Sequence, residues 1–386
     1  MTVKQAVVFT GGVGAKLRPL TLTTPKPLLP LLNKPILDYV IHLLKSAFIS
    51  EIIFVTDYLS DRIESYLNVN DFGISIKVHT PKHYQGSARM LLELSPQLDP
   101  HFLVIPGDCI VDINLNEIVA CFSEQKSDLG LIVRKQKDPL QKGWLCVQSD
   151  TLIDIVSKKS AGSKIDFFSD AWIYFMKKAA LMPLIPKDRY FDIHIDLILS
   201  SIKNKLKIDM TLMKQYWSIL GRIPPYLDTN FWILKNIGNQ SYIGAHTQIS
   251  ARAKLTPPFF IEEGCVIEDG VKLGPNVILG KNSIIKENSD IAQSVIDHDV
   301  TIGSDNYIRK AVIAGNCAIG NICKLGRFVV LGENTMIKDG CELKDAVRVG
   351  PQITLEPGTI VSDFIFPEGL SVDTVSLFCK DSMSLL

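Results

Sequence analysis

Apolar residues in this chain keep two different periods. As far as about Asn236, short apolar runs alternate with stretches whose apolar positions recur every three to four residues. Gln5–Phe9, Glu51–Val55, Ile74–His79 and Phe102–Ile105 read as strands. Ile36–Ser46, Leu59–Leu67 and Ala88–Leu94 carry the spacing of amphipathic helices. Strand and helix in alternation predict an α/β domain on a mostly parallel sheet. From about Tyr242 the period becomes six. Ile243, Ile249, Leu255, Ile261, Ile267, Leu273, Leu279, Ile285 and Ile291 follow it. After a slip it resumes at Ile319, Leu325, Leu331, Ile337, Leu343, Val349 and Leu355. Neither an α-helix nor an ordinary strand has this period. A parallel β-helix does, because each hexad makes one short strand and a turn, and stacked coils bury the aliphatic column. The column is therefore expected to be internal, and the irregular stretch from Val295 to Ile313 is expected to carry a loop. The organisation predicted is residues 1–235 as the α/β domain, 236–370 as the β-helix, and 371–386 as a tail that caps or hangs free.

Composition narrows the partners. A chain of 386 residues has room for two domains, and 46% hydrophobic with 21% charged residues describes a soluble globular protein. The formal net charge of +0 carries no electrostatic footprint for nucleic acid or an acidic membrane. No apolar run approaches the ~18 residues of a membrane span, and a strand begins too early for a signal peptide. The eight cysteines include no C-x-x-C pair, so they read as reduced core thiols of a cytoplasmic protein.

The stretch VVFTGGVGAKLRPLTLTTPKPLL, Val7–Leu29, carries the first candidate chemistry. A strand ends in Gly11, Gly12 and Gly14, where backbone amides can approach a ligand with no Cβ in the way. Such a nest suits an anion, and Lys16, Arg18 and Lys26 add positive charge, which points to a polyphosphate. The spacing is neither a Walker loop nor G-x-G-x-x-G, since Leu17 stands where a third glycine belongs. A plain tight turn would also contain these glycines. The whole string, however, resembles the G-G-x-G-T-R-L-x-P-L-T…P-K-P signature of the sugar-1-phosphate nucleotidylyltransferases. The likeness extends over about the first 230 residues. With the hexad region, which resembles the left-handed β-helix family, the arrangement is similar to GDP-mannose and ADP-glucose pyrophosphorylases.

The resemblance implies a Rossmann-like domain and a defined reaction. An oxygen of a sugar 1-phosphate attacks the α-phosphorus of a nucleoside triphosphate, and pyrophosphate leaves. Lysines and Mg²⁺ would offset the charge of two polyanions. On this likeness Asp108, in LVIPGDCIVD, is the first metal ligand, and Lys26 and Lys16 belong to the catalytic set. Gly11, Gly12, Gly14, Gln85 and Gly86 would bind nucleotide, Gly143 and Lys158 the sugar phosphate, and Asp196 is a structural acid. An Asx-turn aspartate and a surface lysine are the bland alternatives for Asp108 and Lys158.

Several positions depart from the pattern. Ile219 stands where the second metal aspartate belongs, and isoleucine cannot coordinate Mg²⁺. Thr-Arg has become Ala15-Lys16, which keeps the charge but loses the bidentate fork. The Glu and Pro of E-K-P are Ser157 and Lys159, and N-A-G reads Asp170-Ala171-Trp172. Two readings follow. One is a Mg²⁺-dependent sugar-1-phosphate nucleotidylyltransferase weakened at its metal site. The other is a catalytically silent subunit that binds a nucleotide or nucleotide sugar and regulates an active paralogue. An acyltransferase using His246 or His298 is a distant third. The β-helix is expected to mediate a homo-oligomer or a complex with that paralogue.

Overall fold

The computed structural model describes residues 3–135, 144–148, 151–156, 166–238 and 241–367. It forms two compact units: Met1–Gly12 with Ile36–Ile219, and Val13–Pro35 with Leu220–Leu386.

The first unit is built on a nine-stranded sheet. Strands β1 (Gln5–Phe9), β2 (Glu51–Val55), β3 (Ser75–His79) and β4 (His101–Pro106) form its parallel half, in the order β4-β1-β2-β3. The central residues of β1, β2 and β4 are apolar and buried, as buried parallel strands require, whereas β3 lies at the sheet edge and alternates Ile76 and Val78 with the more polar Ser75, Lys77 and His79. Helices α1 (Ile36–Ser46), α2 (Ser60–Val69) and α3 (Ser87–Leu94) join them, close to the bounds that periodicity predicts. Leu59 takes a left-handed conformation just before α2, which sets that helix's start one residue later than expected.

A short strand, β5 (Cys109–Val111), follows β4, and the sheet then grows on its other side. There β6 (Leu129–Lys135), β7 (Trp144–Gln148), β8 (Thr151–Val156) and β9 (Asp166–Lys177) pair antiparallel, and β9 pairs antiparallel with β4. β10 (Ile208–Leu212) runs parallel to β6, while β11 (Trp217–Ile219) pairs with β5. The result is a mixed, Rossmann-like sheet.

The second unit contains a left-handed β-helix whose coils form three faces of seven parallel strands each. Its core is one column of aliphatic side chains with four cysteines, Cys265, Cys317, Cys323 and Cys341. Two expectations need correction. Ile243 is not internal: it is 48% exposed, because it lies on the first coil and one end of its column has no coil to cover it. The stretch from Val295 to Ile313 carries no loop. It contains ordinary rungs at Thr301–Ile302 and Tyr307–Arg309, and the slip comes from tightened corners. Val277 pairs with Ser294, 17 residues on, whereas Val312 pairs with Val330, 18 on. Single left-handed residues, Gln293 and Lys310, turn the shortened corners.

Among the described residues the free cysteines are buried except Cys121, which lies on an exposed position of helix α4 (Leu115–Gln125) and is not a core thiol; Cys379 lies outside the described residues. Among the described residues, no helix is long and apolar enough to cross a membrane.

Candidate functional site

The strand order itself creates a crevice. Progression reverses between β1 and β4, and ligands in open parallel sheets bind outside the carboxyl ends of strands at such a switch point. Thr10-Gly11-Gly12 leaves β1 there, and Gly107-Asp108 leaves β4. Both exits are fixed by backbone bonds. Gly107 N–H donates to the Phe9 carbonyl at 2.8 Å, and Thr10 donates to Val55 through both N–H and hydroxyl at 2.9 Å. Asp108 is 8% exposed.

Beside Asp108, β5 and β11 pair so that Ile219 faces Cys109. The position where the resemblance calls for a second carboxylate is therefore beside Asp108 and carries a branched aliphatic chain. Mg²⁺ takes oxygen ligands, usually from one or two carboxylates plus water and phosphate. Among the described residues no group of three His, Cys, Asp or Glu side chains could hold a metal ion. The donor set here does not fit the two-aspartate centre that the resemblance implies. Burial pushes the Cys109 thiol well up, reinforced by Asp108 and opposed by Arg134.

The replacement of N-A-G by Asp170-Ala171-Trp172 is a built structure. It lies at an irregularity of β9, where the register shifts between Asp170 and Tyr174. Trp172 adopts φ 62°, and its N–H donates to Asp170 Oδ1 at 2.7 Å. Its indole stacks on His194 with centroids 4.6 Å apart and planes 18° from parallel. His194 Nδ1 is 3.0 Å from Asp170 Oδ2, and the buried Asp170 also accepts from the Tyr174 hydroxyl. Trp217 Nε1 donates to the Ala171 carbonyl at 3.1 Å, and the Arg134 guanidinium covers the Trp217 ring at 4.0 Å. Burial lowers the Arg134 pKa. The strand that carries Ile219 thus also braces Trp172.

His194 begins a second layer. Its N–H donates to Asp192 Oδ1 at 2.8 Å, and the other Asp192 oxygen accepts from Ser87 Oγ at 2.8 Å. Asp196 accepts from Asp192 N–H at 2.8 Å, which is the structural role expected of it. Sequence reasoning missed Asp170, His194, Asp192 and Ser87 as a unit. The sequence IHID offers a histidine between isoleucines with Asp196 beside it, and the carboxylate that His194 meets lies 24 residues earlier.

Gly86 and Gln85 adjoin this layer. Gly86 has φ 98°, and a Cβ there would lie 2.4 Å from the Phe191 carbonyl oxygen, so only glycine fits. The Gln85 carbonyl accepts from Phe191 N–H at 3.0 Å, and its Oε1 accepts from Arg89 Nη2 at 3.1 Å. The amide oxygen that the resemblance assigns to a base edge is engaged by Arg89.

Gly14, Lys16 and Lys26 belong to the second unit. Gly14 has φ 58°, and a Cβ would press on Thr21 Cγ2 at 2.9 Å. Thr21 Oγ1 donates to the Gly14 carbonyl at 2.9 Å. Ala15–Leu17 forms a single 3₁₀ turn, with Lys16 exposed and Leu17 buried. Lys26 opens another such turn and is half-buried. Gly143 and Lys158, with Ser157 and Lys159, lie outside the described residues. His246 and His298 are both exposed, the first in a left-handed turn and the second beside Asp299 at 3.0 Å.

Comparison with known proteins agrees with this architecture. The nucleotidyl transferase family matches residues 5–236, and the GMPPB C-terminal domain matches residues 255–356. UTP–glucose-1-phosphate uridylyltransferase of Synechocystis sp. is 25% identical over 238 residues, 58% of this chain and 61% of that protein. Mannose-1-phosphate guanylyltransferase catalytic subunit beta of Xenopus tropicalis is 30% identical over 152 residues, 38% of this chain and 42% of that one. The matched segment spans less than two thirds of either relative. HddC from Yersinia pseudotuberculosis superimposes with a TM-score of 0.51 at 19% identity, over 60% of this chain and 100% of that one, which is a likeness of fold. This chain belongs to the nucleotidyl transferase family.

Proposed function

We propose that this chain is a regulatory member of the family, which binds a nucleotide or nucleotide sugar and transfers nucleotidyl groups weakly or not at all. The observation that carries this reading is Ile219, paired opposite Cys109 beside Asp108. Sugar-nucleotide synthesis brings two polyanions together, and its transition state depends on fixed cationic groups. An aliphatic chain at that position removes a metal ligand and gives nothing in exchange.

The wall formed by Trp172 supports the same reading. Its indole occupies the position of the pattern's glycine and is fixed by Asp170 and His194. A side chain bonded in this way opposes the entry of a sugar more firmly than a loose one would. The glycine turn, Lys16 and Lys26 are the candidate phosphate-binding residues of this reading, and Gln85 and Gly86 its candidate base-binding residues. The Xenopus relative is named a catalytic subunit, which makes a catalytic paralogue a reasonable partner for this chain. The second reading is a weak Mg²⁺-dependent sugar-1-phosphate nucleotidylyltransferase. It is favoured by Asp108, which is retained and shielded at the end of β4.

Two measurements separate these readings. Calorimetry across nucleoside triphosphates and nucleotide sugars, with and without Mg²⁺, is expected to find binding that depends only slightly on the metal. Pyrophosphate release across a panel of triphosphates and sugar 1-phosphates is expected to be slight. Strong Mg²⁺-dependent turnover by the purified chain would overturn the regulatory reading, and Asp108→Asn should then abolish most of it.

A further inference from the structure

The side chain of Arg348 ties the Gly14–Arg18 turn to the β-helix. Arg348 stands on the Arg348–Val349 rung, and its Nη1 donates to the Lys16 carbonyl at 2.8 Å and the Arg18 carbonyl at 2.7 Å. The guanidinium is half-buried and lies 5.6 Å from the Phe364 ring centroid. The chain then returns alongside it: Ile365 N–H donates to the Arg348 carbonyl at 2.9 Å, and Gly350 N–H donates to the Ile365 carbonyl at 2.7 Å. Both the backbone and the side chain of Arg348 are therefore fixed. Desolvation pulls its pKa down to about 10, so it is still cationic at neutral pH.

One nitrogen that bridges two carbonyls two residues apart fixes two peptide planes at once. Leu17 N–H and Arg18 N–H turn the other way, into the carbonyls of Gly14 and Ala15 at 2.9 and 3.2 Å. The turn is thus closed by its own amides on one side and held by an arginine on the other. A guanidinium behind the turn also adds positive charge near the place where an anion would lie.

We propose that Arg348 is a positioning residue, which acts from the β-helix to fix the Gly14–Arg18 turn in the geometry that receives a polyphosphate. Arg348 does not itself touch the ligand. The proposal rests on reading that turn as the phosphate site. Arginine suits the task because its rigid, planar guanidinium holds the two N–H donors of Nη1 in fixed directions toward both carbonyls, whereas a lysine is a flexible point charge.

The test compares the full-length chain with Arg348→Met and Arg348→Lys. Hydrogen exchange is read at the amides of residues 14–18, with the Ile337 and Leu343 amides as internal references. Inorganic pyrophosphate is titrated by calorimetry well below the melting temperature. In Arg348→Met, exchange of the turn should rise at least about tenfold and the pyrophosphate Kd should rise about tenfold, the scale of losing one hydrogen bond from a charged group. Arg348→Lys should recover part of both. If Arg348 only supports its rung, both variants will melt earlier while turn exchange and Kd stay at wild-type values, and the proposal is overturned. If Arg348→Met does not fold, Arg348→Lys decides alone: wild-type exchange and wild-type Kd together would refute the proposal. Failure of the wild-type chain to bind pyrophosphate would overturn the phosphate reading, while the exchange data would separately decide whether Arg348 holds the turn.

Discussion

At the scale of single residues, the site is marked by what has replaced the expected groups. Ile219→Asp should restore a carboxylate beside Asp108. It should create measurable Mg²⁺ affinity, read by calorimetry, or raise pyrophosphate release. Trp172→Gly should open the sugar wall and also relieve the left-handed backbone there. The double variant is expected to outperform either single one, and no gain in any of the three would mean that the pocket has diverged beyond these positions. Asp170 is the network's centre, a buried carboxylate that accepts from Trp172, Tyr174 and His194. Asp170→Asn should cost about 3 kcal/mol, the scale of breaking a buried charged network. Denaturant unfolding would measure it, and a change under about 0.5 kcal/mol, the size of a neutral surface substitution, would remove the network from the argument.

Among elements, the parallel half of the sheet carries a pH-dependent tie. Glu51 on β2 accepts from Lys77 Nζ on β3 at 2.7 Å and from Gln5 Nε2 on β1 at 2.6 Å. The Lys77 bond, aided by Gln5 and opposed by desolvation, holds its carboxyl below the ordinary value. The unfolded chain therefore takes up this proton at a higher pH than the folded one. The contribution is present above the ordinary carboxylate pKa and is lost as pH falls through the lowered one. Glu51→Gln should flatten the acid side of the stability–pH curve, with the difference from wild type shrinking toward low pH. An unchanged curve would show that the tie is screened.

The elements also mark how far the sequence could be read. Glu51–Val55 and Ile36–Ser46 were legible to the residue, because burial on both sides of a strand and on one side of a helix imposes its own period. The shortened β-helix corners were not. Dropping one residue breaks the six-residue count as an insertion would, and only pairing distinguishes the two. The placement of Asp108 just after a strand, and of Ile219 on a strand, was legible in the motif spacing. His194 was illegible, because its partner Asp170 is distant in sequence.

At the scale of the whole molecule, Val13–Pro35 groups with the C-terminal residues although in sequence it lies between two segments of the first unit. Tyr226 donates to the Pro30 carbonyl at 2.5 Å, and Asn230 Oδ1 accepts from Leu32 N–H at 3.0 Å. Further along, Thr24 Oγ1 donates to Glu333 at 3.2 Å. A chain cut after Lys235 keeps the first two ties and loses those to Glu333 and Arg348. Hydrogen exchange should then rise at residues 14–25 and stay near the full-length rate at Leu31 and Leu32. Uniform exchange along the segment would refute this division. Light scattering on the full chain is expected to give an oligomer, and the truncated chain a smaller assembly. A full-length monomer at micromolar concentration that captures no partner would leave the β-helix without an associating role.

The sequence by itself determined the two periods, and with them a layered α/β domain followed by a β-helix. It also determined that position 219 cannot ligate a metal, since an aliphatic side chain has no donor atom in any fold. Both are properties of local pattern and residue type. Tertiary structure alone decided that Trp172 is fastened by a buried carboxylate and a histidine, and that Arg348 reaches back to Lys16 and Arg18. Such contacts join residues far apart in the chain, and hydrogen bonds between distant groups leave no period in the sequence that makes them.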